Sequence, residues 1–320
     1  MIKFFAKRKY RKGFTLTETI VVVALIAIIM ACVVAFGTPV RGMVRHTADK
    51  DSALTINKIM GDYVERRLSF ANKMDIFVGK TYNSLDADII SAFNDYLNTI
   101  NNDSTCSAGI LVFKQALDIN GDGVIDDTND EYCFKLVDYK IPKGASSTLP
   151  SQAALIADDN LVFTDEFYGG LQNVAEVLCH DTVSGKAIDV NAANKAYITF
   201  RINSFLAKEN GMIRPSDLKT LYSETKSAPT GNDIAKMNTI LNSPTFLSEN
   251  DFIAKETFSF AVENLKGTNK TEPVYTVPGD PTSLIDHYEI VSQPPVLNVR
   301  RYDDGTDIVI FYNIKKYKNF

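Results

Sequence analysis

The sequence lacks the motifs of common enzyme classes and has few residues that bind zinc. Its 320 residues include three histidines, far apart in the chain, and four cysteines. Cys179-His180 has no second pair at the spacing of a zinc finger, which argues against a zinc site. We find no nucleophile elbow, phosphate loop, zinc-protease helix or glycosidase signature. These absences argue against an anchored extracellular hydrolase, so we expect a protein that is not an enzyme.

Positive charge is concentrated at the N-terminus, and acidic residues dominate the rest. The whole chain has 34 Lys and Arg against 39 Asp and Glu, a net charge of −5. Six of these bases and no acid lie in the first twelve residues; without them the net charge is −11. An acidic protein repels polyanions, so we expect no specific nucleic-acid partner. The 45% hydrophobic content predicts one large or two small folded cores.

An apolar run without charge, from Ile20 to Phe36, follows the basic segment. As a helix it is about 25 Å long, or about 35 Å with residues 14–19, and a bilayer core is about 30 Å thick. The preceding bases place the N-terminus in the cytoplasm and the larger C-terminal part outside. The sequence therefore predicts a single-pass protein in the lipid bilayer.

Glu18 is the residue that a simple membrane anchor does not explain. A carboxylate at the centre of a membrane helix costs about 2.5 to 3.5 kcal/mol, less towards the interface, and such residues are usually paired and functional. The alternative is a glutamate near the interface that snorkels or is protonated.

The segment Gly13-Phe14-Thr15-Leu16-Thr17-Glu18, between a basic leader and the apolar run, resembles the N-terminus of type IV pilins and pseudopilins. The resemblance covers roughly the first 60 residues. It implies that a prepilin peptidase cleaves after Gly13 and methylates the new amino group of Phe14. It also implies that Glu18 pairs with this amine in the next subunit, that the partners are other pilin or pseudopilin subunits and the assembly platform, and that the assembled protein lies at the cell surface.

Two other interpretations of the N-terminus remain. A secretory signal peptide has an apolar stretch of about 7 to 15 residues and a small-residue cleavage site, whereas here Glu18 precedes a longer run. The tetrapeptide ending at Cys32, Ile-Met-Ala-Cys, resembles a lipoprotein cleavage site. Because the run continues beyond Cys32, we interpret this cysteine as a residue of the membrane helix.

The patterns divide the chain into a leader (1–13), a transmembrane or filament helix (14–36), an amphipathic continuation (37–71) and an extracellular head (72–320) of one or two lobes. Gly37, Pro39 and Gly42 predict a bend or loosening of the long helix. The expected fold class is α+β, pilin-like, with an antiparallel β-rich head.

Periodicity within the head predicts further elements. Helices are expected at 85–100, 171–178, 216–223 and 234–241. Strands are expected at 110–117, 132–141, 195–206, 257–262, 287–291, 296–302 and 308–314, and residues 153–167 are expected to be rich in strand. A turn of hairpin type at Asp303–Thr306 is predicted to join the last two strands.

Residues 118–131 form an acidic loop that resembles a calcium loop of the EF-hand and dockerin kind. Oxygen ligands stand at its first, third and fifth positions, followed by a glycine. The resemblance implies a structural Ca²⁺ held by six residues, Asp118, Asn120, Asp122, Val124 through its carbonyl, Asp126 and Asp130. Asn129 stands at the twelfth position, where the family has a bidentate acid, so Glu131 is the alternative to Asp130. A solvated turn is the alternative to a calcium site.

Cys106 and Cys133 bracket the acidic loop. Outside the cell, two such cysteines predict a disulfide that stabilises the fold by about 3 kcal/mol. Pairing of either one with Cys179, or three reduced thiols, remains open.

Together these patterns predict a pilin-like subunit whose large head is typical of a minor or tip position. The alternative is a single-pass surface adhesin that does not assemble into a filament.

Overall fold

A computed structural model describes residues 15–83, 85–168, 171–179, 195–207, 213–226, 250–269, 274–275, 284–285, 288–293 and 296–315. The chain divides into two structural units, Met1–Lys50 and Asp51–Phe320. We call them the N-terminal unit and the globular unit and describe each by itself.

One long helix, α1 (Leu16–Leu68), includes residues of both units. It contains the whole apolar run and ends close to the predicted end at residue 71. The helical assignment continues through Gly37, Pro39 and Gly42. The predicted transmembrane helix and its amphipathic continuation are therefore one element.

The globular unit contains the rest of the secondary structure. Three helices follow α1 in the described residues: α2 (Ala87–Asn102), α3 (Gln152–Leu155) and α4 (Pro215–Lys226). The strands in these residues are β1 (Lys73–Val78), β2 (Cys106–Leu117), β3 (Glu131–Lys140), β4 (Leu161–Phe163), β5 (Leu171–Cys179), β6 (Lys195–Ala207), β7 (Asn250–Asn269), β8 (Val274–Tyr275), β9 (Leu284–Ile285), β10 (Tyr288–Gln293), β11 (Val296–Arg301) and β12 (Ile308–Lys315).

Six strands form the larger sheet, in the order β11-β1-β12-β2-β3-β4. Neighbours are antiparallel except β1 and β11, which run parallel with Ile76 opposite Val299. The predicted hairpin between β11 and β12 is wrong, because β1 lies between them and pairs with both. The connection between these two strands instead crosses the end of β1, where the amide of Tyr302 donates to the carbonyl of Val78 at 2.8 Å.

A glycine permits this crossing. The amide of Gly305 donates to the carbonyl of Gly79 at 3.0 Å. A Cβ atom at position 305 would lie 1.9 Å from the backbone nitrogen of Thr81. Any side chain at position 305 would therefore separate the connection from β1.

Four strands form a second, antiparallel sheet in the order β10-β7-β6-β5, and β8 pairs with β9. The helix predicted at 171–178 is wrong, since these residues form β5 and Val174 pairs with Asn203 of β6. Of the strand-rich segment predicted at 153–167, only β4 is strand, and the strand predicted at 257–262 is part of the longer β7. The helix predicted at 234–241 lies outside the described residues.

Both faces of the six-stranded sheet are covered. On one face α2 packs Ile89, Phe93 and Ile100 against sheet residues that include Ile110 and Phe311. The other face packs in one cluster with residues 53–68 of α1, the second sheet and α4. This arrangement confirms the α+β fold class, with a sheet that is antiparallel apart from one parallel pair.

Candidate functional site

The N-terminus of α1 carries a capping box formed by Thr15 and Glu18. The amide and hydroxyl of Thr15 donate to Oε2 of Glu18 at 2.8 and 2.9 Å. In return the amide of Glu18 donates to the Thr15 hydroxyl at 3.3 Å. These bonds provide acceptors for backbone N–H groups that have no partner within the helix at its first turn. Glu18 is therefore bonded within its own helix, while the predicted cleavage and methylation positions, Gly13 and Phe14, lie outside the described residues.

The apolar run of α1 exposes its side chains all round. Ile20 is 60% exposed and Phe36 70% exposed. The helix is long and apolar enough to cross a membrane, and the most apolar 18-residue window has no buried residue. Exposed apolar surface of this extent marks a membrane or interaction surface.

The part of α1 in the globular unit is instead fixed to the larger sheet. Tyr63 of α1 and Tyr312 of β12 each donate a hydroxyl to Asp138 of β3, both at 2.6 Å. Nε of Arg67 lies 2.7 Å from the same carboxylate. Burial and the hydrogen bond to Asp138 raise the pKa of Tyr63, so its hydroxyl keeps its proton and stays a donor. A buried hydrogen bond joins α1 to the second sheet, since the Asn57 side chain donates to the hydroxyl of Ser204 in β6 at 3.0 Å.

The acidic loop is organised by hydrogen bonds from its own backbone. Asp118 accepts the amides of Gly121 at 2.6 Å and Gly123 at 2.9 Å. Asp122 accepts the amide of Val124, also a predicted ligand, at 2.7 Å, and the Asn120 side chain at 2.8 Å. These are the Asx turns that the alternative interpretation predicts.

The other predicted ligands are bonded in the same way. Asp126 accepts the amides of Asn129 and Thr128, and these bonds hold the pKa of its carboxyl below the usual value. Asp130 accepts the amides of Ile119 and Asp126 at 2.9 and 2.8 Å. Within the described residues no group of three His, Cys, Asp or Glu side chains is arranged to hold a metal. In this conformation the side chains do not fit a calcium ion, and calcium binding stays a prediction.

The loop is also held from outside. Asp127 accepts the Ser216 amide at 2.8 Å and its hydroxyl at 2.5 Å, at the start of α4. Lys219 of α4 donates to the carbonyl of Ile125. Contacts with α4, which is distant in sequence, therefore help to fix the loop, and the local sequence does not reveal them.

The predicted disulfide between Cys106 and Cys133 is wrong. Both are buried free thiols. Cys106 begins β2, whereas Cys133 lies near the start of the antiparallel β3, whose neighbouring Tyr132 faces Ala116 at the other end of β2. The cysteines are thus separated by most of a strand of 12 residues, too far for a bond that needs Cα atoms within about 7 Å. Burial raises the pKa of the Cys133 thiol to about 12, so it stays protonated and inert.

A buried ion pair that sequence reasoning missed lies beside β12. Nζ of Lys114 and Oδ2 of Asp307 are 2.7 Å apart, and both side chains are 0% exposed. Asp307 also accepts the amides of Tyr82 and Gln115, each at 3.0 Å. The two residues are 193 positions apart, so no local pattern connects them; the sequence shows only a lysine within the apolar strand β2.

An exposed apolar helix with a capped acidic start, long and apolar enough to cross a membrane, supports a membrane-anchored protein. The family model of the prokaryotic N-terminal methylation motif matches residues 8–32, which include Gly13, Phe14 and Glu18. The match supports a type IV pilin-like protein that is processed by a prepilin peptidase. No curated protein matches the chain, and no solved structure matches it either.

Proposed function

We propose that the protein is a pilin-like subunit of a membrane-anchored filament, matured by cleavage after Gly13 and methylation of Phe14. The observation that carries the proposal is the methylation motif at residues 8–32, which covers the capped start and most of the exposed apolar run of α1. The protein acts by assembly and not as an enzyme. Its partners are the prepilin peptidase, other pilin-like subunits and the assembly platform.

In this proposal Glu18 pairs with the Phe14 amine of a neighbouring subunit. Both bonds from Thr15 fall on Oε2 of Glu18. A carboxylate has two oxygens and about four acceptor positions. Glu18 can therefore accept a neighbour's amine without giving up its capping box. Thr15 fixes the carboxylate at the start of α1, and the incoming amine neutralises its charge in the apolar filament core.

The globular unit remains outside the cell and gives the subunit a minor or tip position. The six bases before Gly13 keep the N-terminus cytoplasmic. The globular unit, residues 51–320, is large for a subunit that is repeated along the whole length of a filament. A tip subunit has no such limit on its size.

The first experiment is the N-terminal mass of the protein recovered from its own cells. A chain that begins at methylated Phe14 is the expected result. A chain that retains Met1 would contradict the proposal and favour a single-pass surface adhesin. Gly13→Ser should leave the leader attached. Gly42→Ser is the matched control, since a Cβ atom there meets no atom within 4 Å, and it should be cleaved normally.

Assembly is tested with three variants whose N-terminal masses show normal cleavage. Glu18→Ala should be absent from filaments. Thr15→Val removes the hydroxyl bonds of the capping box and leaves the carboxylate, so it should still enter filaments. Glu65→Ala, at an exposed acid in the globular part of α1, should assemble normally. Equal failure of Thr15→Val and Glu18→Ala would show that Glu18 acts only as a helix cap.

A further inference from the structure

A short part of α1, residues 39–48, follows the apolar run and carries only positive charge. We call it the exit segment. It contains Arg41, Arg45 and His46 and no acid, whereas the chain as a whole has a net charge of −5. Once the leader is removed after Gly13, Arg41 is the first lysine or arginine of the chain. Bases on the outer side of a membrane helix oppose the usual orientation rule, so their presence here requires another reason.

The position of Arg41 along α1 places it at the edge of a bilayer. The charge-free stretch of the helix, from Thr19 to Val40, is about 33 Å long. The hydrocarbon core of a bilayer is about 30 Å thick, and the headgroup layer on each side adds about 5 to 8 Å. When the charge-free stretch spans the core, Arg41 lies at its outer boundary. Arg45 is about 6 Å farther along and lies in the headgroup layer.

The two arginines are available for an external anion. Both are exposed, and neither forms an ion pair with any residue that the structure describes. The nearest acid, Asp49, lies four residues beyond Arg45, in the order that is less favourable for a pair on one helix. It is also about 6 Å farther from the bilayer than Arg45. The positive charge on the bilayer side of the exit segment is therefore not neutralised by the chain itself.

The direction of the side chains favours contact with lipid. In a helix every Cβ atom tilts towards the N-terminus, which here is the bilayer side. Arg41 and Arg45 are four residues apart and lie on one face. Long basic side chains can keep their charged ends at the headgroup level while their stems lie along apolar surface. A guanidinium binds a phosphate through two parallel N–H bonds, so both arginines can reach lipid phosphates.

Another face of the exit segment is apolar. Val40 is 54% exposed, Met43 71% and Val44 64%. Thr47 lies on the same face, and its hydroxyl donates to the carbonyl of Met43 at 2.9 Å, so the donor of this side chain is already used. An apolar face beside a basic face is typical of a helix at the interface between lipid and water.

We propose that the exit segment binds the headgroups of anionic phospholipids at the outer surface of the membrane. Arg41 and Arg45 bind the phosphates, and the apolar face contacts the part of the lipids nearest to the headgroups. This contact fixes the depth of the subunit in the bilayer before assembly. The inference rests on the membrane anchoring of the proposed function and does not depend on filament formation.

The test measures which lipids the mature protein retains. The protein is purified from its own cells and inserted into nanodiscs of equal parts phosphatidylglycerol and phosphatidylcholine with the same acyl chains. Native mass spectrometry of the released protein counts its bound lipids. Phosphatidylglycerol should be retained over phosphatidylcholine by about tenfold or more, since each base near an anionic surface contributes about fivefold. Arg41→Gln with Arg45→Gln should remove this preference.

Lys58→Gln with Arg66→Gln is the matched control. Both residues are exposed bases of α1 that belong to the globular unit. The control removes the same charge from the same helix and should leave the lipid preference unchanged. Arg41→Lys with Arg45→Lys keeps the charge and should keep most of the preference. This variant separates the loss of charge from damage to the helix.

The proposal is overturned if the natural protein retains both lipids equally, if the double glutamine substitution in the exit segment keeps the preference, or if the control loses it as well. It is also overturned if that substitution prevents entry into filaments without changing the retained lipids, because the segment would then bind another subunit. The N-terminal mass of the same samples tests the proposed function separately. A chain that begins at methylated Phe14 and shows no lipid preference removes this inference alone. A chain that retains Met1, and whose preference depends on Arg41 and Arg45, removes the proposed processing alone.

Discussion

The two parts of α1 belong to one helix but differ in what covers them. In the N-terminal unit Met30 is 62% exposed, whereas in the globular unit Met60 is 0% exposed. Both are methionines in the same type of backbone, so the environment alone distinguishes them. The second part of the helix is stabilised by its own chain. The first part must obtain its burial from lipid or from other helices.

Acidic residues show the same contrast. Glu18 caps the exposed start of the helix, and its bonds are formed within four residues of sequence. Asp307 lies in the interior and is bonded to groups about 190 or more positions away. An acid of the first kind can change partner during assembly. An acid of the second kind cannot change partner without unfolding the globular unit.

The largest effect should come from the buried pair. Asp307→Ala leaves Lys114 charged and unpaired in the interior and removes the acceptor of two backbone amides. The breaking of such a pair costs about 3 to 5 kcal/mol. The globular unit should melt at a much lower temperature, while cleavage after Gly13 is unchanged. Since the chain has no tryptophan, near-UV circular dichroism of its tyrosines measures the melting.

Lys114→Met is the companion variant. It leaves Asp307 with its two amide donors, so it should destabilise the globular unit less than Asp307→Ala. Equal melting temperatures for Asp307→Ala and the natural protein would show that the pair contributes little. Loss of cleavage in a variant that still folds would contradict the independence of the two regions.

Two methionines test the contrast within α1 directly. Met60→Ala removes a fully buried side chain and should cost about 2 to 5 kcal/mol. Met30→Ala changes an exposed residue and should leave the melting of the globular unit unchanged. The measurement is the melting temperature of both full-length variants in detergent. Similar losses in the two variants would mean that the exposed part of α1 also stabilises the globular unit.

Sequence patterns were informative where structure is local. The long helix, α2, α4 and most strands follow from periodicity over a few residues. β1 was missed because its sequence, KMDIFV, alternates polar and apolar residues over only four positions, and because the charged Asp75 is buried with four of its neighbours. The hairpin prediction failed because β1 lies between β11 and β12. Since β1 is far from them in sequence, its position cannot be inferred from the turn residues that join them.

The candidate site divides in the same way. The family motif and the capping box involve residues close in sequence, and both can be recognised from the sequence. The Cys106–Cys133 prediction failed because closeness in sequence was taken for closeness in space, although β2 and β3 carry the two residues to opposite ends. A cleft in the globular unit is lined by Lys80, Val124, Lys219 and Asp304, which no sequence pattern connects.

Calcium tests whether the acidic loop resembles its motif in function as well as in sequence. The motif predicts that calcium increases the free energy of unfolding of the globular unit by about 2.7 kcal/mol at a hundred times Kd, and so raises its melting temperature. Asp118→Asn with Asp122→Asn should abolish this rise. Asp158→Asn with Asp159→Asn, at two exposed acids outside the loop, is the matched control and should keep it. An unchanged melting temperature in the natural protein would leave the Asx turns and the contacts with α4 as the organisation of the loop.

The smallest effect should appear on acidification. The amides of Asn129 and Thr128 lower the pKa of Asp126 in the folded state, so the unfolded chain takes up a proton more readily. The bonds therefore stabilise the globular unit above the unfolded pKa of about 3.9 and lose their effect as the pH falls through the folded pKa. Asp126→Asn should make the melting temperature less sensitive to pH below about pH 4. Asp62→Asn, at an exposed acid of α1, is the control. If the melting temperatures of both variants depend on pH as that of the natural protein does, the bonds to Asp126 do not contribute to acid stability. Asp126 would then behave like the exposed Glu18 and not like the buried Asp307.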